Sequence, residues 1–336
     1  MKAVGYRQAL PIDQPEALID LTLPDPTPGA RDLLVRVRAI SVNPVDTKVR
    51  RGVAPEPGQA KVLGWDVCGI VEAVGAEVSG FKQGDRVYYS GSIVRPGANS
   101  ELHVVDERIA ALAPRSIDDA QAAALPLTTI TAYELLFDRL GVPQGGGAGQ
   151  TLLVIGGAGG VGSILIQLAR QMTQLKVVAT ASRPETRQWC LDLGAHAVID
   201  HSKPIAGELR NAGLGEVEMV ASLTQTAQHY EQIIEALKPQ GKLALIDDMP
   251  VLDAMKLKGK ALSLHWELMF TRSKFQTPDM ARQGELLAEV AALVDAGKVR
   301  STLNADYGTI NAANLRRAHA LIESGKAQGK VVLQGF

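Results

Sequence analysis

Cysteine is nearly absent: 336 residues contain only Cys68 and Cys190, each in apolar surroundings and neither in a CxxC pair. A disulfide framework is thereby excluded, and the count suits a reducing compartment. An excess of charge is missing too. Thirty-five Lys and Arg stand against 36 Asp and Glu, a formal net charge of -1. No global positive field exists to drive binding to nucleic acid or anionic lipid, so a small-molecule substrate is expected. No run of about 18 apolar residues occurs, so no membrane-spanning helix is expected. The opening MKAVGYRQALPIDQP lacks the apolar stretch of a signal peptide and reads as a short strand and turn. These absences predict a soluble, cytoplasmic protein without nucleic-acid or membrane partners.

The length suggests about two domains. The first 125 residues are short alternating segments separated by Gly and Pro. In LLVRVRAISV (33–42), Val35, Val37 and Ala39 share one face and Arg36 and Arg38 the other, the period-2 pattern of a half-buried strand. With CGIVEAVG, DRVYYS and ELHVVD this predicts an all-β unit, a closed or nearly closed barrel. After Pro126 the pattern changes. LTTITAYELLFDRL (127–140) reads as a helix, and strands then alternate with helices: TLLVIG, KVVATA, AVID, EMVASL, KLALID and ALSLHW. Six strands with interleaved helices predict a doubly wound parallel sheet over residues 126–270, an α/β fold. The tail, 271–336, is expected to return to the first domain.

Within that pattern, Gly157, Gly159 and Gly162 form a G-x-G-x-x-G that follows an apolar strand and opens an amphipathic helix, the context of a dinucleotide-binding loop. Glycines permit a tight turn and close backbone approach, and the helix-start amides near Gly160 and Val161 would meet a pyrophosphate. About 20 residues on, an NAD-preferring site places an acid. Here the chain reads Ser182-Arg183, with Arg187 one turn later. Guanidinium groups pair with a 2′-phosphate, so NADPH is expected over NADH.

Taken together, SVNPVDTKVRRG, LGWDVCGIVEAVGAEVSGFKQGDRVYY, AAALPLTTITAYELL, the glycine loop, ALKPQGKLALID and GKVVL occur in the order found in a known family. The chain resembles the medium-chain dehydrogenase/reductase superfamily, in its quinone oxidoreductase branch. The resemblance implies a GroES-like β-barrel catalytic domain plus a Rossmann domain, with the active site in the cleft between them. Zinc-bearing relatives use a Cys in the segment that here reads NPVDTK and a Gly-His-Glu where this chain has Gly64-Trp65-Asp66. A structural zinc lobe needs four cysteines. The expectation is therefore zinc-free hydride transfer from NADPH to a quinone or an activated C=C, electrophiles that need no Lewis acid. An enoyl thioester or aldehyde reductase, or a non-catalytic NADPH-binding sensor, are the alternatives.

The resemblance and the strand positions assign candidate residues, five of them with a structural alternative. Asn43 is a donor toward substrate or a backbone partner; Asp46 orients its neighbours or caps a turn. Lys48 stabilises an enolate or is a solvated lysine, and Thr131 lines the nicotinamide pocket or packs inside its helix. His201 stacks on the adenosine, pairs with the 2′-phosphate, or is exposed. Ser222 and Asp247 end strands facing the ligand crevice, and Lys330 begins the final strand where the family approaches the cofactor. The apolar edge ALSLHWELMF suggests a homodimer.

Overall fold

The computed structural model describes residues 1–336. The chain forms two compact units, Met1–Ile130 with Phe270–Phe336, and Thr131–Met269. The leading segment contains strands β1 (Lys2–Tyr6), β2 (Ile19–Thr22), β3 (Asp32–Val42), β4 (Lys61–Val62), β5 (Asp66–Val74), β6 (Arg86–Ser90), β7 (Leu102–Asp106) and β8 (Ala110–Leu112). Its helices are α1 (Pro44–Gly52), α2 (Asp119–Ala123) and α3 (Pro126–Tyr133). The divide after Ile130 falls inside α3, because that helix runs on past the proline at which the composition changes.

In the second unit β9 (Thr151–Ile155), α4 (Gly160–Met172), β10 (Lys176–Thr180), α5 (Pro184–Asp192), β11 (Ala197–Ile199) and α6 (Ile205–Asn211) come first. Then follow β12 (Val217–Ser222), α7 (Thr226–Ala236), β13 (Leu237–Leu245), α8 (Met255–Lys258) and β14 (Ser263–Trp266). The tail adds α9 (Thr271–Phe275), α10 (Arg282–Asp295), β15 (Leu303–Asp306), α11 (Ala312–Glu323) and β16 (Lys330–Gln334) to the first unit.

Pairing in the first unit is split between a three-stranded sheet, β2-β1-β4, and a seven-stranded one, β15-β16-β3-β5-β6-β8 with β7 on β3. The eleven-residue β3 organises it. One edge takes β5 along most of its length; the other takes β7 over Asp32–Arg36 and then β16 over Ala39–Val42. Its buried Val35, Val37 and Ala39 alternate with Arg36 and Arg38, as the period-2 pattern requires.

The second unit is a six-stranded, fully parallel sheet in the order β11-β10-β9-β12-β13-β14. Central β9 is buried from Leu152 to Ile155, the continuous apolar run of a strand covered on both faces. Leu153, Ile155, Val178, Val220, Leu243 and Leu245 meet Ile205, Leu209 and Ile233 of α6 and α7 in one core. The strand order reverses between β9 and β12, and ligands in such sheets sit at the carboxyl ends of strands beside that point. After α3 the chain continues as a π-helical turn, Glu134–Arg139, a widened form concentrated at functional positions.

Candidate functional site

The loop after β9 lies at the switch point. Gly156 has φ 81°, a left-handed conformation that a side chain would strain. Its N–H donates to Thr180 Oγ1 (3.1 Å), and the Gly157 N–H donates to the Thr180 carbonyl (3.2 Å), tying the loop to the end of β10. The Gly159 N–H donates back to the Gly156 carbonyl at 3.1 Å and closes the turn; Gly159 then caps α4. Reading the motif from Gly157 thus put the turn one residue too far along: Gly156 makes it, and the Gly-Gly doublet after the strand was the signal. Gly162 answers a different need. A Cβ there would lie 2.5 Å from the Gly156 oxygen and 2.6 Å from the Gly157 oxygen, so only a glycine lets the helix seat on its loop. The amides of Gly160, Val161 and Gly162 begin α4, where no preceding turn offers acceptors. Together with the positive end of the helix dipole they suit a pyrophosphate.

Around this loop, the end of β10 carries no acid. Ser182 is exposed, and Arg183 is the N-cap residue of α5, half-exposed and 3.2 Å from Glu185. Arg187 is turned elsewhere: its guanidinium donates to the carbonyls of Ala181 (3.4 Å) and Val198 (2.9 Å), bracing the ends of β10 and β11. His201 sits with Nδ1 3.2 Å from Thr180 Oγ1, so Thr180 joins the glycine turn to the imidazole. Its ring meets His229 edge-on at 5.9 Å. Burial lowers the pKa of both imidazoles, opposed by Asp200 beside His201 and by Asp247 facing His229. Neither Thr180 nor His229 carries a sequence signal that singles it out. Ser222 and Asp247 are committed internally. Asp247 accepts from the Thr226 N–H at 2.8 Å and from its hydroxyl, capping α7, and Ser222 Oγ lies 2.7 Å from Thr226 Oγ1.

The remaining candidates gather in the first unit as a buried ionic cluster, Thr131 and Lys48 apart. Asn43 caps α1 and Asp46 completes a capping box: Asp46 accepts the Asn43 N–H at 2.6 Å and the Gly64 N–H at 3.1 Å. Burial pushes the Asp46 carboxyl up to about 7. Asp66, fully buried, accepts from the Leu127 N–H (2.6 Å), Asn43 Nδ2 (2.8 Å) and Lys330 Nζ (3.0 Å). Lys330, 3% exposed, also donates to the Val42 carbonyl at 3.2 Å and to Asn43 Oδ1. Both ends of the Asn43 amide are therefore engaged inside the fold. Lys48 lies on the exposed side of α1, and Thr131 is buried in α3.

This donor set does not fit a divalent metal. Trp65 is buried and donates its indole N–H to the Ser92 carbonyl at 3.1 Å, Asp66 is neutralised by an ammonium, and no three His, Cys, Asp or Glu side chains converge.

Comparison with known proteins places these features in a family. Residues 29–114 match the alcohol dehydrogenase GroES-like domain, and residues 193–333 the zinc-binding dehydrogenase family. A zinc-type alcohol dehydrogenase-like protein of Staphylococcus epidermidis is 36% identical over 99% of both chains. A crystal structure from Rhizobium etli CFN 42, given the provisional description zinc-dependent alcohol dehydrogenase, is 55% identical, with TM-score 0.96 over 100% of this chain and 98% of that one. Escherichia coli quinone oxidoreductase in complex with NADPH is 26% identical, with TM-score 0.84 over 99% and 100%. From the GroES-like first unit, the switch-point glycine loop and these end-to-end similarities, the chain belongs to the medium-chain dehydrogenase/reductase superfamily of oxidoreductases.

Proposed function

We propose that this protein is an NADPH-dependent, zinc-independent reductase of quinones or activated C=C bonds. The observation that carries the reading is the glycine cradle at the switch point, followed by Ser182-Arg183 where an NAD-selective site carries an acid. Gly160, Val161 and Gly162 would hold the pyrophosphate through backbone amides, and Arg183, Ser182 and His201 would face the adenosine ribose and its 2′-phosphate. Arg187, Ser222 and Asp247 hold the strand ends that carry these contacts. When bound, NADPH supplies the hydride. A quinone or enone is electrophilic enough to accept it with only a hydrogen-bond donor at the developing oxyanion and a proton from a side chain or water. The buried Lys330–Asp66 pair, lacking imidazole or thiolate, favours this chemistry over oxidation of unactivated alcohols.

The test is oxidation of NADPH and NADH in the presence of 1,4-naphthoquinone, an enone or a crotonyl thioester. Turnover of the first two is expected. Tight NADPH binding with no turnover on any would replace the reductase with a sensor. Arg183→Asp should weaken NADPH more than about tenfold, from roughly 1.5–3 kcal/mol per charged hydrogen bond, and leave NADH little changed. An unaltered NADPH/NADH ratio would remove Arg183 from the selectivity argument.

No helix is long and apolar enough to cross a membrane, and we place the protein in the cytoplasm. Strand β14 pairs on one side only, with Trp266 50% and Leu268 53% exposed beside it, an edge suited to a homodimer. Sedimentation should give twice the 35.7 kDa chain mass, and Trp266→Glu should return the monomer. A wild-type monomer at micromolar concentration would rule the dimer out.

A further inference from the structure

The buried ammonium of Lys330 has the surroundings of a bound metal ion. Three oxygens converge on Nζ, the Val42 carbonyl, Asn43 Oδ1 and Asp66 Oδ2, and they come from β3, from the residue that caps α1, and from β5. Lys330 itself begins β16, which pairs with that same end of β3. An unpaired carboxylate as deeply buried as Asp66 would be strongly disfavoured, so something cationic must accompany it. A free lysine side chain would in turn resist such burial. Each group makes the other tolerable, and the amide of Asn43 bridges them, accepting from Lys330 and donating to Asp66.

We propose that Lys330 is the resident cation of this cluster: its ammonium takes the coordination place of a metal ion, holds the α1 cap and Asp66 in register, and closes the site to divalent cations. Lys330 is thus a positioning residue. All three N–H bonds are spent on protein oxygens, so it does not bind substrate itself. A second carboxyl, Asp46, faces the cluster from α1 with both its oxygens satisfied by backbone N–H groups, so the ammonium needs only Asp66 as counter-charge. Removing the ammonium leaves a carboxylate, an amide oxygen and a carbonyl aimed at one point, a donor set for a hard cation and not for zinc.

The inference rests on the zinc-independent reading and adds a claim of its own. Wild-type protein grown and dialysed with zinc should retain far less than one zinc per chain, and Mn2+ should show no bound signal in electron paramagnetic resonance. Lys330→Ala should bind one Mn2+ per chain, or recover its melting temperature when methylammonium, but not tetramethylammonium, is added. If Lys330→Ala fails to accumulate folded, refolding in methylammonium should rescue it. One zinc held per wild-type chain would sink both this proposal and the zinc-independent chemistry. A zinc-free wild type alongside a Lys330→Ala variant that neither binds Mn2+ nor responds to methylammonium would overturn the resident cation alone.

Discussion

Gly162→Val should reduce dinucleotide affinity on the order of a hundredfold while leaving the fold intact. The new Cβ would start 2.5 Å from one backbone oxygen and 2.6 Å from another, and neither can rotate away as a side chain would. Helix α4 must therefore withdraw from its loop, taking the amides of Gly160 and Val161 with it. Losing two charge-assisted hydrogen bonds to a phosphate removes about 3 kcal/mol, which corresponds to that factor in Kd. Gly207→Ala is the control, since its methyl would meet only Pro204 at 3.9 Å inside α6. Calorimetric titration with NADPH reads both. An unchanged Kd in Gly162→Val would mean that the phosphate lies elsewhere.

Glu267→Gln should make the protein more resistant to alkali. Glu267 follows β14 with its side chain fully buried, beside Glu134 of the π-helical turn, while Arg139 Nε donates to its Oε2 at 2.7 Å. Burial first, and then the charge of Glu134, hold its carboxyl far above the usual carboxylate range. The sign follows from linkage. A carboxyl that keeps its proton in the native state but not in the unfolded one loses stability as pH rises from the ordinary carboxylate range toward the raised value. Glutamine copies the protonated acid, donating toward Glu134 and accepting from Arg139, and cannot ionise. The variant should match wild type in mild acid and exceed it by at least about 1.4 kcal/mol at high pH, one pKa unit's worth. Melting curves from pH 5 to 10 decide; parallel curves for the two proteins would deny the buried acid its raised pKa.

Much of the architecture was legible because its signals are local. The unbroken apolar TLLVI, the helical spacing of Ile164, Leu165 and Leu168, and the alternation in β3 each report burial within a few residues. A glycine that must touch backbone is a local requirement as well, which is why Gly162 could be read, although the turn itself fell to Gly156. Lys330 and Asp66 lie 264 positions apart and Glu134 and Glu267 meet only through tertiary packing, so nothing in either neighbourhood announces a partner. His229 escaped for the same reason. Arg187 could be seen as a cation near the second strand, but not that two carbonyls would claim it.

The way β3 is shared between early and late strands orders events during synthesis. Its second edge stays half bare until β16 leaves the ribosome, whereas Thr151 to Trp266 is contiguous and holds every strand of its own sheet. The parallel-sheet half can thus mature while the other half is still waiting, with a strand margin open to chaperones or to mispairing until β16 has been made.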